Sequence, residues 1–136
     1  MRVGIVGSRN IGGVTARQLI PWIPANCTQI VSGGARGIDT LAGQAAQQLG
    51  IPLLCLRPDY SRYGRQAPLR RNDEILSHCD YVLAFWDYCS RGTCYTITEC
   101  IRRHIPCRIV EVGQSGIICR SHPMEQPDTL AGAQRV

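Results

Sequence analysis

Three glycine-bearing segments carry arginine at points where strands are expected to end: Gly7-Ser8-Arg9, Ser32-Gly33-Gly34-Ala35-Arg36-Gly37, and Asp87 followed by Ser90-Arg91-Gly92-Thr93. Glycine turns free backbone N–H groups, and guanidinium forks hold phosphate or carboxylate bidentately, so the chemistry these residues suggest is anion binding. Arg57 follows a further expected strand, which puts Arg9, Arg36, Arg57 and Arg91 at one kind of position in the chain. All 15 basic residues are arginine, and the net charge of +5 is compatible with anionic partners. A compositional bias of the source accounts for the missing lysine equally well, so the placement of the arginines is the stronger signal.

Hydrophobic patterning supplies the elements that must position these segments. Arg2–Gly7 reads as a short apolar strand, Ile11–Ile20 as a helix stopped near Pro21 and Pro24, and Thr28–Ser32 as a second strand. Ile38, Leu41, Ala42, Ala45 and Leu49 recur at helical spacing within 36–49; Gly50 and Pro52 end that helix before a third strand over 51–56. Residues 58–66 read as a polar, tyrosine-bearing loop, and 67–77 as a helix carrying Arg70, Arg71, Asn72 and Asp73. A fourth strand spans 81–86, a helix 92–104 and a fifth strand 106–112. Five short, nearly continuous apolar strands alternating with four helices indicate a parallel sheet covered on both faces. The expected fold is α/β: a three-layer, Rossmann-like open sheet of about five strands in the order 3-2-1-4-5. Residues 1–113 form the expected domain, and 114–136 a flexible tail in which 117–119 adds at most a short strand.

In such a sheet ligands bind beyond the carboxyl ends of the strands, where the winding reverses. That crevice lies between the first and fourth strands, so Gly7–Asn10 and Asp87–Thr93 are expected neighbours, with Ser32–Gly37 beside the first.

Composition excludes other classes. With 136 residues, 44% hydrophobic and 18% charged, the chain is one globular domain in size. No apolar run approaches the roughly 20 residues of a membrane span, and no signal-peptide pattern precedes the first strand, so no membrane partner and a cytoplasmic location are expected. None of the eight cysteines forms a CxxC; most read as small buried hydrophobes, and the spacing of Cys89, Cys94 and Cys100 fits no metal-ligand pattern, so no metal and no cofactor is expected. GxGxxG is absent after the first strand, and without lysine no GxxxxGK[ST] exists, which weakens dinucleotide oxidoreductase and P-loop readings. His78, His104 and His122 are scattered without partners in sequence. Of Phe85 and Trp86, one is expected in the core and the other is a candidate for stacking on a base at the rim. Tyr60 and Tyr63, interleaved with Arg57, Arg62 and Arg65, read as solvated loop or as a cover for a nucleotide or single strand.

Val31-Ser-Gly-Gly-Ala-Arg-Gly-Ile-Asp39 with Ala42 resembles the glycine signature of the SLOG superfamily, which includes DprA/Smf DNA-processing proteins and the LOG phosphoribohydrolases. Gly7-Ser-Arg9, Arg71-Asn-Asp73, and Phe85-Trp-Asp87 with Ser90-Arg-Gly-Thr93 resemble more specifically the small stand-alone YspA-like SLOG proteins. The resemblance covers about residues 1–113. It implies a pocket for a nucleotide or nucleotide-derived ligand, in many members as a sensor. By matching position it implies three phosphate-facing loops, of Gly33, Gly34, Arg36 and Gly37, of Ser8 and Arg9, and of Arg91, Gly92 and Thr93.

One departure bears on activity. LOG enzymes carry PGGxGTxxE, whose glutamate serves catalysis; here Thr96 holds that place and Cys89-Ser-Arg91 replaces Pro-Gly-Gly. Cleavage of an N-glycosidic bond needs a carboxylate. Glu99 lies a turn further on; Asp39 and Asp73 read as local helix-start or arginine partners, and Asp87 as either a ribose contact or a loop-holding residue. The leading expectation is therefore ligand binding through Gly7, Ser8, Arg9, Ser32, Gly33, Gly34, Arg36, Gly37, Asp87, Ser90, Arg91, Gly92 and Thr93, without turnover and with no catalytic residue assigned. The alternatives are a LOG-like nucleoside-monophosphate phosphoribohydrolase and a DprA-like binder of single-stranded DNA. A homo-oligomer accords with the superfamily.

Overall fold

A computed structural model of the protein describes residues 1–118. Six strands form one sheet in the order β3-β2-β1-β4-β5-β6: β1 (Arg2–Gly7), β2 (Gln29–Ser32), β3 (Leu53–Cys55), β4 (Tyr81–Trp86), β5 (Cys107–Gly113) and β6 (Gly116–Ile117). The first five are parallel, and β6 pairs antiparallel with β5. The expected order holds. The short extra strand begins at Gly116, one residue before the segment expected over 117–119, whose last residue falls outside the described ones. Residues 119–136, with most of the expected tail, Cys119 and His122, lie outside the described residues as well.

The helices are α1 (Ala16–Leu19), α2 (Ile38–Leu49), α3 (Tyr60–Tyr63), α4 (Ala67–Ser77) and α5 (Arg91–Arg103). Alternate strand residues point to opposite faces of the sheet. Val3, Ile5, Ile30, Leu83 and Phe85 pack with Leu19, Ile38 and Ala42 from α1 and α2. Val6, Val31, Val82 and Ala84 pack on the other face with Ile75, Leu76, Ile97 and Cys100 from α4 and α5. Parallel crossovers are right-handed, so helices change face when the winding changes direction. The chain winds outward from β1 through β3, then returns to β4 beside β1, and that reversal opens the crevice at the β1 and β4 exits.

Two sequence expectations are corrected. The helix expected over 11–20 is a single turn, α1, continued by a 3₁₀ turn over Ile20–Trp22. Gly12 takes a left-handed φ of +58° against the Gly113 and Gln114 carbonyls, which breaks the helical path, and the helix starts only at Thr15, whose amide donates to Gln18 Oε1 at 3.1 Å. The segment expected as loop over 58–66 contains α3 and a 3₁₀ turn, Gly64–Gln66. Asp59 starts α3 by accepting from the Arg62 amide (3.2 Å) and the Ser61 hydroxyl (2.7 Å).

Candidate functional site

A cleft of about 520 Å³ opens at the β1/β4 reversal. Its floor and walls come from the two expected exit loops: Gly7, Arg9 and Asn10 on one side, and Asp87, Cys89, Ser90, Gly92 and Thr93 on the other. The β2 turn contributes Ala35 and, just beyond it, Asp39, while α4 adds Pro68, Leu69, Arg71, Asn72 and Ile75.

The exit loops are tied together by short bonds. The Ser8 amide donates to the Phe85 carbonyl (3.1 Å), and the Asp87 amide donates to Ser8 Oγ (3.1 Å). Ser8 is thus buried beneath the cleft and joins β1 to β4. The Ile38 amide donates to the Ser8 carbonyl (3.2 Å), which draws the start of α2 against the same loop. Gly37 permits this: its φ is +80°, and a β-carbon there would run into the Ser8 and Arg9 backbone.

The β2 turn is occupied from within. Asp39 Oδ2 accepts from the Ala35 amide at 3.0 Å, so the chain's own carboxylate sits in the turn that the sequence suggested for an outside anion. Burial raises the Asp39 pKa above the ordinary carboxylate range, and the Ala35 amide, Arg71 and Arg9 only partly oppose that. Ser32 is buried with its hydroxyl directed to the Asp39 carbonyl, and the Gly33 and Gly34 carbonyls accept from Arg71 and Arg57.

The start of α5 differs. Ser90 caps it, its side chain accepting from the Thr93 amide at 3.3 Å, and no acidic residue stands in the first turn. Asp87 Oδ1 accepts from the Cys89 and Ser90 amides, both at 2.9 Å, which holds the loop that delivers α5. Burial acts to raise the Asp87 pKa, but the two amides and the Ser8 hydroxyl outweigh it and the carboxyl lies below its ordinary range.

Arg71 is the cleft residue that the strand-end reasoning missed. It is 7% exposed; one nitrogen donates to the Gly33 carbonyl and Nε donates to Asn72 Oδ1 at 2.9 Å. Burial lowers its pKa, and Asp39 opposes that from beyond ion-pair distance. Arg71 belongs to the Arg71-Asn-Asp73 motif of the resemblance, yet its mid-helix position gives no sign of the cleft. Of the four strand-end arginines, Arg9 lines the cleft and Arg57 braces the β2 turn, whereas Arg36 and Arg91 are exposed and outside the lining.

Thr96 lines the cleft, its hydroxyl donating to the Gly92 carbonyl at 3.1 Å. Glu99 does not: Arg102 and Arg103 hold it in ion pairs at 2.7 and 3.1 Å and pull its pKa down to about 2. Asp73 accepts from Tyr95 (2.8 Å) and Arg103 (3.1 Å). Phe85 is fully buried, and Trp86 is half-buried, packs on the α4/α5 face of the sheet and is not part of the cleft lining. Cys100 is buried while Cys89 and Cys94 are exposed. Among the described residues no helix is long and apolar enough to cross a membrane.

Comparison with known proteins agrees with this architecture. Residues 1–56 match the family model for DNA recombination-mediator protein A, a span that holds Gly7–Asn10 and Ser32–Gly37 but not the β4 exit. The fold is shared with the crystal structure of DNA processing protein A (DprA) from Streptococcus pneumoniae, at a TM-score of 0.67 and 22% identity over 79% of this chain and 49% of that one. The chain spans about half the length of that solved relative. No curated protein matches it. The family match over residues 1–56 accords with the DprA part of the resemblance, and the structural match shows the shared fold.

Proposed function

We propose that the cleft binds a nucleotide or nucleotide-derived ligand through its phosphate, as a sensor does, without turning it over. The observation that carries this is Arg71: a guanidinium 7% exposed in the cleft wall, with no ion-pair partner among the described residues. Burying a charge without a direct ion pair is costly, since Asp39 acts on it only from beyond ion-pair distance, and an incoming phosphate supplies one. Arg9 at the lip and the uncompensated first turn of α5, with Gly92 and Thr93, converge on the same space. Gly7, Asp87 and Ser90 shape the walls; Ser8, Ser32, Gly33, Gly34 and Gly37 hold the loops; Arg36 and Arg91 steer anions from outside the lining. Turnover is disfavoured because Thr96 offers no carboxylate where the LOG enzymes carry theirs. Arg71-Asn72-Asp73 and Phe85-Trp86-Asp87 support the YspA-like reading within the superfamily.

The test is thermal denaturation with a panel of nucleotides and ribose 5-phosphate. A ligand at about 100 times its Kd adds about 2.7 kcal/mol of stability. Arg9→Ala and Arg71→Met are expected to remove the shift, Arg9→Ala without touching the fold. No shift from any member of the panel refutes the proposal.

The match of residues 1–56 to the DNA recombination-mediator model favours a second reading, binding of single-stranded DNA. It predicts oligonucleotide affinity that falls steeply with salt, and a flat anisotropy titration at low salt excludes it.

A further inference from the structure

Asn72 follows Arg71 on α4 and lines the same cleft, half-buried. Its Oδ1 accepts from Arg71 Nε at 2.9 Å. An arginine nitrogen only donates, so the amide oxygen must face it and the orientation of the group is fixed, with Nδ2 turned the other way. That nitrogen is the nearest outside atom to a β-carbon added at Gly92, 3.9 Å from it, which sets Nδ2 beside the first turn of α5. Nδ2 has no acceptor among the described residues, and neither has Arg71 Nη2, because Nη1 donates to the Gly33 carbonyl and Nε to Asn72. Neither nitrogen is sealed from solvent. The Gly92 amide is a further donor left over: the Ser90 amide goes to Asp87, the Thr93 amide to the Ser90 side chain and the Cys94 amide to the Ser90 carbonyl, and no acceptor among the described residues takes that of Gly92. The carboxylates of the lining do not compete for these donors, since Asp39 and Asp87 both accept from backbone amides of their own loops.

We propose that Asn72 contacts the ligand directly through Nδ2, between Arg71 Nη2 and the Gly92 amide, and that the group these donors select is a terminal phosphomonoester. The inference rests on the phosphate reading of the cleft and deepens it. A monoester offers three non-bridging oxygens on a tetrahedral centre, whereas a phosphodiester inside a strand offers two and a carboxylate two in one plane. Donors from three residues on two helices suit the first of these. Asn72 serves Arg71 as well: its oxygen occupies one tine of the guanidinium fork, which holds the group in place and leaves Nη2 to the ligand. A terminal phosphomonoester has two sources, a free nucleotide and the phosphorylated end of a strand.

The experiment is calorimetric titration of the wild type, Asn72→Ala and Asn72→Asp with AMP, GMP, CMP and UMP, with a short oligothymidine bearing or lacking a 5′-phosphate, and with the methyl ester of whichever of these phosphates binds most tightly, alongside each variant's Tm. The wild type is expected to bind the monoester about 10- to 100-fold more tightly than its methyl ester, the range of one hydrogen bond to a charged group. Asn72→Ala is expected to weaken the monoester by a similar factor and the methyl ester little. A residue that only held Arg71 would weaken both alike, and that outcome overturns the inference. Asn72→Asp keeps an acceptor for Arg71 Nε and puts an anionic oxygen where Nδ2 stood; it is expected to lose the monoester while its Tm holds or rises, and it decides the matter if the alanine variant does not fold. Normal binding by Asn72→Asp overturns the inference. So does equal binding of monoester and methyl ester by the wild type, or of oligothymidine with and without its 5′-phosphate, while the phosphate reading of the cleft then stands. Preference for a mononucleotide or for the phosphorylated strand supports the inference either way and assigns the source. If nothing binds the wild type, the phosphate reading itself fails.

Discussion

Gly37 and Gly92 both belong to the loops expected to face a ligand, and the structure gives their replacement by alanine opposite signs. At Gly37 the backbone has φ +80° and ψ −127°, and an added β-carbon would overlap the Ser8 and Arg9 backbone, which cannot give way without separating the two exit loops. The conformational strain is about 1–3 kcal/mol, and forcing the loops apart adds about 1–3 kcal/mol more. Gly37→Ala is therefore expected to cost roughly 2–6 kcal/mol, a large share of the 5–15 kcal/mol typical of a domain, and, at about 4 °C per kcal/mol for a chain of this size, to lower the Tm by about 8–24 °C. At Gly92, the second residue of α5, the nearest outside atom to an added β-carbon is Asn72 Nδ2 at 3.9 Å, ordinary contact. Alanine there removes the entropic penalty of a helical glycine, worth about 0.5–1 kcal/mol at most in a first turn.

The assay is thermal denaturation of both variants with and without a nucleoside monophosphate. Gly92→Ala is expected to melt at or slightly above the wild-type temperature while binding more weakly, since its methyl occupies space that a phosphate needs close to the helix start. Gly37→Ala is expected to lose stability with or without ligand. A Gly37→Ala protein as stable as the wild type would refute the assignment of that glycine to loop packing. A Gly92→Ala protein that binds normally would show that no ligand approaches the start of α5.

Asp87→Asn should cost about 1–2 kcal/mol at neutral pH through weaker acceptance from the Cys89 and Ser90 amides; because the folded carboxyl lies below its unfolded value, this contribution is full above the unfolded pKa and is lost as pH falls through the folded one, so the Tm gap from the wild type should close on acidification below pH 4. Asp39 has the opposite sign: its raised folded pKa makes ionisation a penalty that grows as pH rises through the unfolded and then the folded pKa, so Asp39→Asn, which keeps an acceptor for Ala35, should gain stability relative to the wild type between pH 4 and 7, and a constant difference across that range would count against the burial argument. Phe85, fully buried where β4 faces α2, should cost about 3–5 kcal/mol when cut to alanine, as read from denaturant midpoints.

The parallel strands were legible because burial on both faces makes each a nearly unbroken apolar run, and their order followed from where the winding must turn. The convergence of the β1 and β4 exits followed from the same rule. Local geometry was less accessible. The residues over 11–20 have helical periodicity, but Gly12 meets carbonyls a hundred residues away, and that contact, not propensity, decides where the helix begins. Arg71 was visible as part of a motif yet not as a cleft residue, because its burial depends on a hydrogen bond to Gly33, 38 positions earlier, and on the absence of a side chain there.

The two long helices that start near the cleft show why a glycine turn alone is weak evidence for an anion site. In both, strand, turn and helix follow in the order that presents N–H groups to a ligand. In α2 the first turn brings its own acid, and Asp39 reaches back to the Ala35 amide, so the turn is satisfied before any ligand arrives. In α5 the corresponding acid, Asp87, precedes the helix and spends itself on the Cys89 and Ser90 amides, and the first turn carries none. The same residue type thus closes one helix start and only shapes the approach to the other. The difference lies in whether the carboxylate comes after the cap or before it, and it leaves α5, whose Gly92 and Thr93 line the same cleft as Arg71 and Arg9, as the helix start that carries no acid of its own in its first turn.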